Sequence, residues 1–128
     1  MPKFVVDSWA WIEYLEGTGK GEKVREIVLD EKNEVYTNLI NLSEIASVAS
    51  RKSMDIDFAF NAVVSSSSII GIDENFCKEA GKFHGKMRKK IRDFGMGDAF
   101  VAVTARKLNA RILTGDQHFK GFKNATII

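Results

Sequence analysis

The stretch GDAFVAVTARKLNARILTGD, residues 97–116, decides how this chain is read. Gly97–Leu108 has the length and apolar content of a helix, with Phe100, Val101, Val103 and Leu108 as its apolar residues. Arg111–Thr114 is a short apolar run and predicts a strand. Asp98 opens the helix and Asp116 follows the strand. In a chain that alternates strands and helices, the carboxyl ends of neighbouring parallel strands lie side by side, and ligands bind there.

The same alternation extends outward in both directions. Lys3–Val6 predicts a strand. Ser8–Leu15 predicts a helix with Trp9, Ile12 and Trp11 inward, stopped at Gly17. Gly17–Gly21 is expected to be a flexible loop and Glu22–Asp30 a second helix. Val35–Ile40 predicts a buried strand, and Asn41–Arg51 a helix with Ile45, Val48 and Ala49 inward. Asp55–Val64 predicts another helix, Ser65–Ser68 a loop, and Ile69–Ile72 a strand. Asn75–Arg92 is expected to be one long basic helix, and Thr126–Ile128 a last strand. The strands are continuous apolar runs, as parallel strands buried on both faces require. The expected fold is a three-layer α/β/α domain over residues 1–128, with a central parallel sheet of about five strands.

Four carboxylates fall at one edge of that sheet: Asp7 after the first strand, Glu44 early in the helix after the second, Asp98, and Asp116. Each has a purely structural explanation. Asp7 would cap the helix beginning at Ser8. Asn41-Leu42-Ser43-Glu44 matches a capping box. Asp98 suits a helix amino terminus, and Asp116 suits a turn. Four such coincidences at neighbouring positions weaken that explanation. Gathered acids repel unless a cation lies between them, and an all-carboxylate site suits Mg²⁺ or Mn²⁺. Metal-dependent chemistry on phosphate esters follows.

Composition restricts the setting. The chain has 128 residues, 45% hydrophobic and 28% charged, with a net charge of +2. That is the profile of one globular domain. Cys77 is alone, which excludes an internal disulfide and predicts a reducing, cytoplasmic setting. No segment approaches the roughly 20 apolar residues of a membrane span, and no signal peptide is visible. Charge is unevenly spread: residues 1–37 hold eight acids and five bases, whereas residues 76–94 hold seven bases and two acids. A basic stretch of that density can follow a phosphate backbone. Lys82, Lys86, Lys89 and Lys90, spaced close to i, i+4, i+7, i+8, are the expected nucleic-acid-binding stripe.

The segments Phe4-Val5-Val6-Asp7-Ser8, Asn41-Leu42-Ser43-Glu44-Ile45-Ala46, Gly97 to Ala105 and Leu113-Thr114-Gly115-Asp116-Gln117-His118-Phe119 together resemble the PIN-domain family, and within it the VapC-type toxin ribonucleases. The order matches and nearly the whole chain is spanned. The resemblance implies a Mg²⁺- or Mn²⁺-dependent endoribonuclease with Asp7, Asp98 and Asp116 as metal ligands and Glu44 holding the metal or the attacking water. Ser8 and Thr114 fit the hydroxyl residues that line such sites. In-line attack by water would leave a 5′-phosphate. A lysine or arginine is common in the family where this chain has His118. An antitoxin protein and a second copy of the chain are the implied partners. Residues 60, 63 and 64 of the Met54–Val64 segment fit one inward face, and Phe58 lies about 160–200° from it, exposed in a monomer; the resemblance implies an interface in or beside this segment, with Phe58 and Phe60 as its expected aromatics.

Other readings remain in play. A PIN-type RNA-processing or decay nuclease outside any toxin–antitoxin system has the same site. A receiver-type signalling domain needs paired acids after the first strand, where this chain has Asp7-Ser8-Trp9, although Asp73 follows the third strand. A haloacid-dehalogenase phosphatase needs Asp-x-Asp, and Trp9 occupies the second position. A catalytically silent binding module would lack one of the four acids.

Overall fold

Val5 and Val6, adjacent in sequence and both fully buried, belong to different hydrophobic cores in the computed structural model, which describes residues 1–128. Side chains of a strand alternate between faces, so neighbouring residues can serve two layers only in a sheet covered on both sides. Ile112 and Leu113 repeat the pattern. The strands are β1 (Lys3–Val6), β2 (Glu34–Asn38), β3 (Ser68–Ile70), β4 (Arg111–Thr114) and β5 (Ala125–Ile127). All pair in parallel, in the order β3-β2-β1-β4-β5, with Val5 level with Tyr36 on one side and Ile112 on the other. The chain builds outward from β1 in one direction and then in the other. The crevice at such a reversal, between β1 and β4, is where doubly wound sheets bind ligands.

Six helices flank the sheet: α1 (Ser8–Glu16), α2 (Gly19–Leu29), α3 (Leu39–Arg51), α4 (Ile56–Ser66), α5 (Glu74–Arg88) and α6 (Met96–Leu108). One core packs Val6, Trp11, Val24, Leu42, Ile45 and Val63 around Leu113. Trp11 is fully buried, and its indole N–H donates to Thr37 Oγ1 at 3.0 Å, as a buried tryptophan requires. The other core sets Phe94 and Phe119 against Val5, Val101 and Ile112. α6 supplies buried residues all along its length from Ala99 to Ala105, which explains its nearly continuous apolar sequence.

Several expected boundaries move, each for a local reason. The loop expected at Gly17–Gly21 is short: Thr18 caps α2 by accepting from the Gly21 N–H, and helix follows from Gly19. Gly21 is buried against α1, where an added Cβ would strike the Glu13 carbonyl. Its glycine serves close helix packing rather than flexibility. β2 ends at Asn38, whose side chain caps α3, so Leu39 and Ile40 are helical and Asn41 is not the cap. Ser65 and Ser66 finish α4 and Ser68 opens β3, which leaves Ser67 alone between them. α5 stops at Arg88, and residues 89–93 form a turn. On α4 the inward residues are Ala59 and Val63; Phe60 and Val64, expected inward, join Phe58 on the outer surface. Cys77 is exposed. No helix is long and apolar enough to cross a membrane.

Candidate metal centre

Pairing of β1 with β4 brings Asp7 beside Thr114 across 107 residues of sequence. Asp7 caps α1, with its Oδ1 accepting from the Ala10 N–H at 2.8 Å. Its Oδ2 accepts from the Thr114 hydroxyl. That hydroxyl oxygen in turn accepts the Asp116 N–H at 2.9 Å. One threonine thus fixes the carboxylate of β1 and the turn after β4. Asp7 is buried, and burial pushes its pKa from 3.8 up to about 7. The hydrogen bonds from Thr114 and Ala10 work against that rise, and the charges of Asp116 and Asp98 add to it.

Asp98 sits in the first turn of α6 and accepts the Gly95 N–H at 2.8 Å. Its pKa also rises, chiefly through burial, with the Asp116 charge adding; the Gly95 and His118 hydrogen bonds oppose it. Asp116 caps a short 3₁₀ turn, Gln117–Phe119, by accepting the His118 N–H at 2.9 Å. That turn swings the His118 ring back over the acids. Nδ1 lies 2.9 Å from Asp98 Oδ2 and 3.3 Å from Asp116 Oδ1. Burial alone would lower the His118 pKa, but the Asp98 hydrogen bond and the charges of Asp116, Asp98 and Asp93 together raise it. When protonated, the ring supplies positive charge to two crowded carboxylates.

Glu44 lies in the second turn of α3. Its Oε1 accepts from Ser8 Oγ at 3.1 Å and from Asn41 Nδ2 at 2.8 Å. On the other side the carboxylate presses against Gly97, where any Cβ would collide with it. The glycine therefore admits Glu44 to the amino-terminal turn of α6, one residue before Asp98. Similarly, Gly115 leaves room for the Trp9 ring, which holds the β4 turn against α1.

The four acids thus reach the same edge of the sheet, but not equally closely. Donor atoms of Asp98, Asp116 and His118 all lie within 4.8 Å of one another, and neither Asp7 nor Glu44 joins a group that tight. Ser8 and Thr114 act as donors to Glu44 and Asp7. Sequence reading missed two participants. His118 is marked only by its place two residues after an aspartate that caps a turn. Asn41 is marked by lying three residues before Glu44 on one helix face. Its Oδ1 is buried and finds no partner. None of the surface cavities is lined by the four acids; Asp7 is buried and Glu44, Asp98 and Asp116 are half-buried.

The other expected positions lie elsewhere. Lys82 and Lys86 border a cleft with Glu79, Phe83 and Arg106. Lys89 and Lys90 fall in the turn after α5, so the expected four-lysine stripe is not a single helix face. Phe58 and Phe60 are 68% and 38% exposed on α4.

No curated protein matches this chain in sequence. Among solved structures, a DNA-bound VapBC from Salmonella typhimurium superposes with a TM-score of 0.72 at 21% identity, covering 100% of this chain and 98% of that one. A toxin–antitoxin complex from Klebsiella pneumoniae gives 0.68 at 17%, covering 95% and 94%. Mycobacterium tuberculosis VapC20, described as a sarcin-ricin loop cleaving toxin, gives 0.72 at 15%, covering 94% and 95%. These likenesses establish a shared fold. The sequence pattern that defines the PIN domain matches residues 4–124, a span that contains all four acids. By that match, and with the strand order and acidic edge described above, the chain belongs to the PIN-domain family.

Proposed function

We propose that this chain is a divalent-metal-dependent endoribonuclease and the toxin of a toxin–antitoxin pair. The observation that carries the reading is the crowding of Asp7, Asp98 and Asp116 at one sheet edge, where burial and mutual repulsion raise the pKa of Asp7 and Asp98. A site with that much negative charge in a half-buried place is short of positive charge, and the donor set fits Mg²⁺ or Mn²⁺. Asp98 and Asp116 would hold the ion, with Asp7 adjoining. Such an ion would supply Lewis acidity there, to activate a water and to offset charge developing on a phosphate.

The chain's own groups do the positioning. Thr114 and the Ala10 N–H fix the Asp7 carboxylate from two directions. The Gly95 N–H fixes Asp98. Ser8 and Asn41 both donate to Glu44 Oε1, which leaves Oε2 available to accept a proton or a hydrogen bond from an attacking water. A half-buried acidic edge that no cavity encloses suits a polymer passing across the surface better than a small substrate that must be enclosed. The basic residues 76–94 favour a nucleic acid, and VapC20, which shares the fold, is described as a sarcin-ricin loop cleaving toxin. The toxin–antitoxin complexes of the same fold support an antitoxin partner for this chain.

Asp98→Asn tests the reading. The purified variant should keep the parent's circular dichroism spectrum and lose RNA cleavage in Mg²⁺ and Mn²⁺. A variant that cuts RNA as fast as the parent would end the assignment.

A further inference from the structure

We propose that His118 is itself a ligand of the metal centre, and that its imidazole makes this chain prefer first-row transition-metal cations such as Mn²⁺ over Mg²⁺. The proposal rests on the metal-dependent reading above and deepens it. An all-carboxylate edge does not discriminate strongly between these hard cations; one nitrogen donor changes that.

The geometry points to His118 as that donor. Nδ1 stands 2.9 Å from Asp98 Oδ2 and 3.3 Å from Asp116 Oδ1. Adjacent ligands of an octahedral ion at roughly 2.1 Å are separated by about √2 times that distance, or about 3 Å. The His118 spacings therefore match neighbouring corners of one coordination sphere. The ring is also held in place. Asp116 accepts the His118 backbone N–H, and the next residue, Phe119, is fully buried in the core. Both anchors are independent of the ring's contact with Asp98. Two carboxylates and an imidazole form a mixed oxygen–nitrogen set. Imidazole suits transition metals, whereas Mg²⁺ favours oxygen ligands and retained water. The rival explanation is an ion pair that closes the acidic edge without metal and must open to admit one. It predicts the opposite response to losing the ring, since removing a competing cation would strengthen binding of every metal alike.

Binding to the metal-free chain separates the two. Mn²⁺ and Mg²⁺ are titrated individually by calorimetry into the parent and into His118→Gln. The Mn²⁺-loaded proteins are then examined by pulsed electron paramagnetic resonance for coupling to a ligand nitrogen. The expected result is nitrogen coupling in the parent and none in the variant. Mn²⁺ affinity should fall by about tenfold or more, while Mg²⁺ affinity changes by less than about twofold. Bound Mn²⁺ without nitrogen coupling in the parent would overturn the proposal, and that spectrum needs no variant to fold. So would an equal change in affinity for both cations, in either direction. Failure of both cations to bind would overturn this proposal and the metal-dependent reading together. Nitrogen-coupled Mn²⁺ in a parent that leaves RNA uncut would sustain the ligand assignment and remove the nuclease.

Discussion

Asp7 shows how one residue can oppose the fold that holds it. In the unfolded chain it loses its proton near pH 4, whereas in the folded, metal-free chain it keeps it to about pH 7. Between those values the folded state binds more protons than the unfolded state, so stability falls as pH rises. The difference between 3.8 and about 7 corresponds to at most about 4 kcal/mol. Asp98 and His118, both raised, act in the same direction. The melting temperature of the metal-free chain should therefore fall between pH 5 and pH 8. Asp7→Asn should flatten that fall and raise stability at pH 8. An unchanged pH slope in the variant would show that Asp7 is not the group responsible. Gly97 makes a separate case. Gly97→Ala should improve helix propensity in α6 by up to about 1 kcal/mol, yet its Cβ would occupy the place of the Glu44 carboxylate. The expected outcome is a protein as stable as the parent with RNA cleavage lost in kcat rather than KM. Full activity would mean that Glu44 needs no fixed position.

At the scale of elements, the end of α5 decides where the basic charge goes. Lys82 and Lys86 remain on the helix, paired with the cleft beside Arg106. Lys89 and Lys90 sit in the turn that leads through buried Phe94 to Gly95, whose N–H holds Asp98. The turn lysines therefore sit closer along the chain to the acids. On the nuclease reading, replacing Lys89 and Lys90 with Ala should weaken RNA binding and reduce its logarithmic salt slope by up to about 2, more than replacing Lys82 and Lys86. Equal slopes for the two double variants would remove the turn from the RNA path. The boundary itself is intelligible. Ile91 and Phe94 turn back into the aromatic cluster of Phe83, Phe119 and Phe122, which a straight helix through residue 94 would not allow.

For the whole molecule, the outer surface of α4 is more apolar than Phe58 alone would make it. Ile56, Phe58, Phe60 and Val64 are 41%, 68%, 38% and 40% exposed along one helix. Apolar exposure of that kind on a small domain marks an interaction surface. Light scattering should give a mass of twice 14.3 kDa, and Phe58→Lys should return it to the monomer value. A parent that stays monomeric at tens of micromolar would exclude a stable homodimer through this face.

Much of this molecule is already written in local patterns. The long apolar helix Gly97–Leu108, the strand Arg111–Thr114 and the short strand before Asp7 follow from periodicity and composition, because burial on both faces demands continuous apolar runs. The four acids are legible for the same reason: each stands where a strand ends or a helix begins, and parallel topology carries such positions to one edge. Boundaries are less legible where two local explanations compete. Asn38 and Asn41 can each cap a helix, and only the pairing of β2 with β3 through Asn38 and Ile70 assigns the cap. The inward face of α4 was misread because Phe60 and Val64 are as apolar as Val63; what Ala59 and Val63 meet is set by other helices. The closeness of donors within the site is wholly tertiary. Thr114 reaches Asp7 through strand pairing, His118 reaches Asp98 through the turn that Asp116 caps, and Glu44 reaches α6 because Gly97 has no side chain. Sequence determines which groups arrive at the edge, since that depends on topology. Distances between them depend on packing contacts between residues far apart in the chain, and no local pattern encodes those.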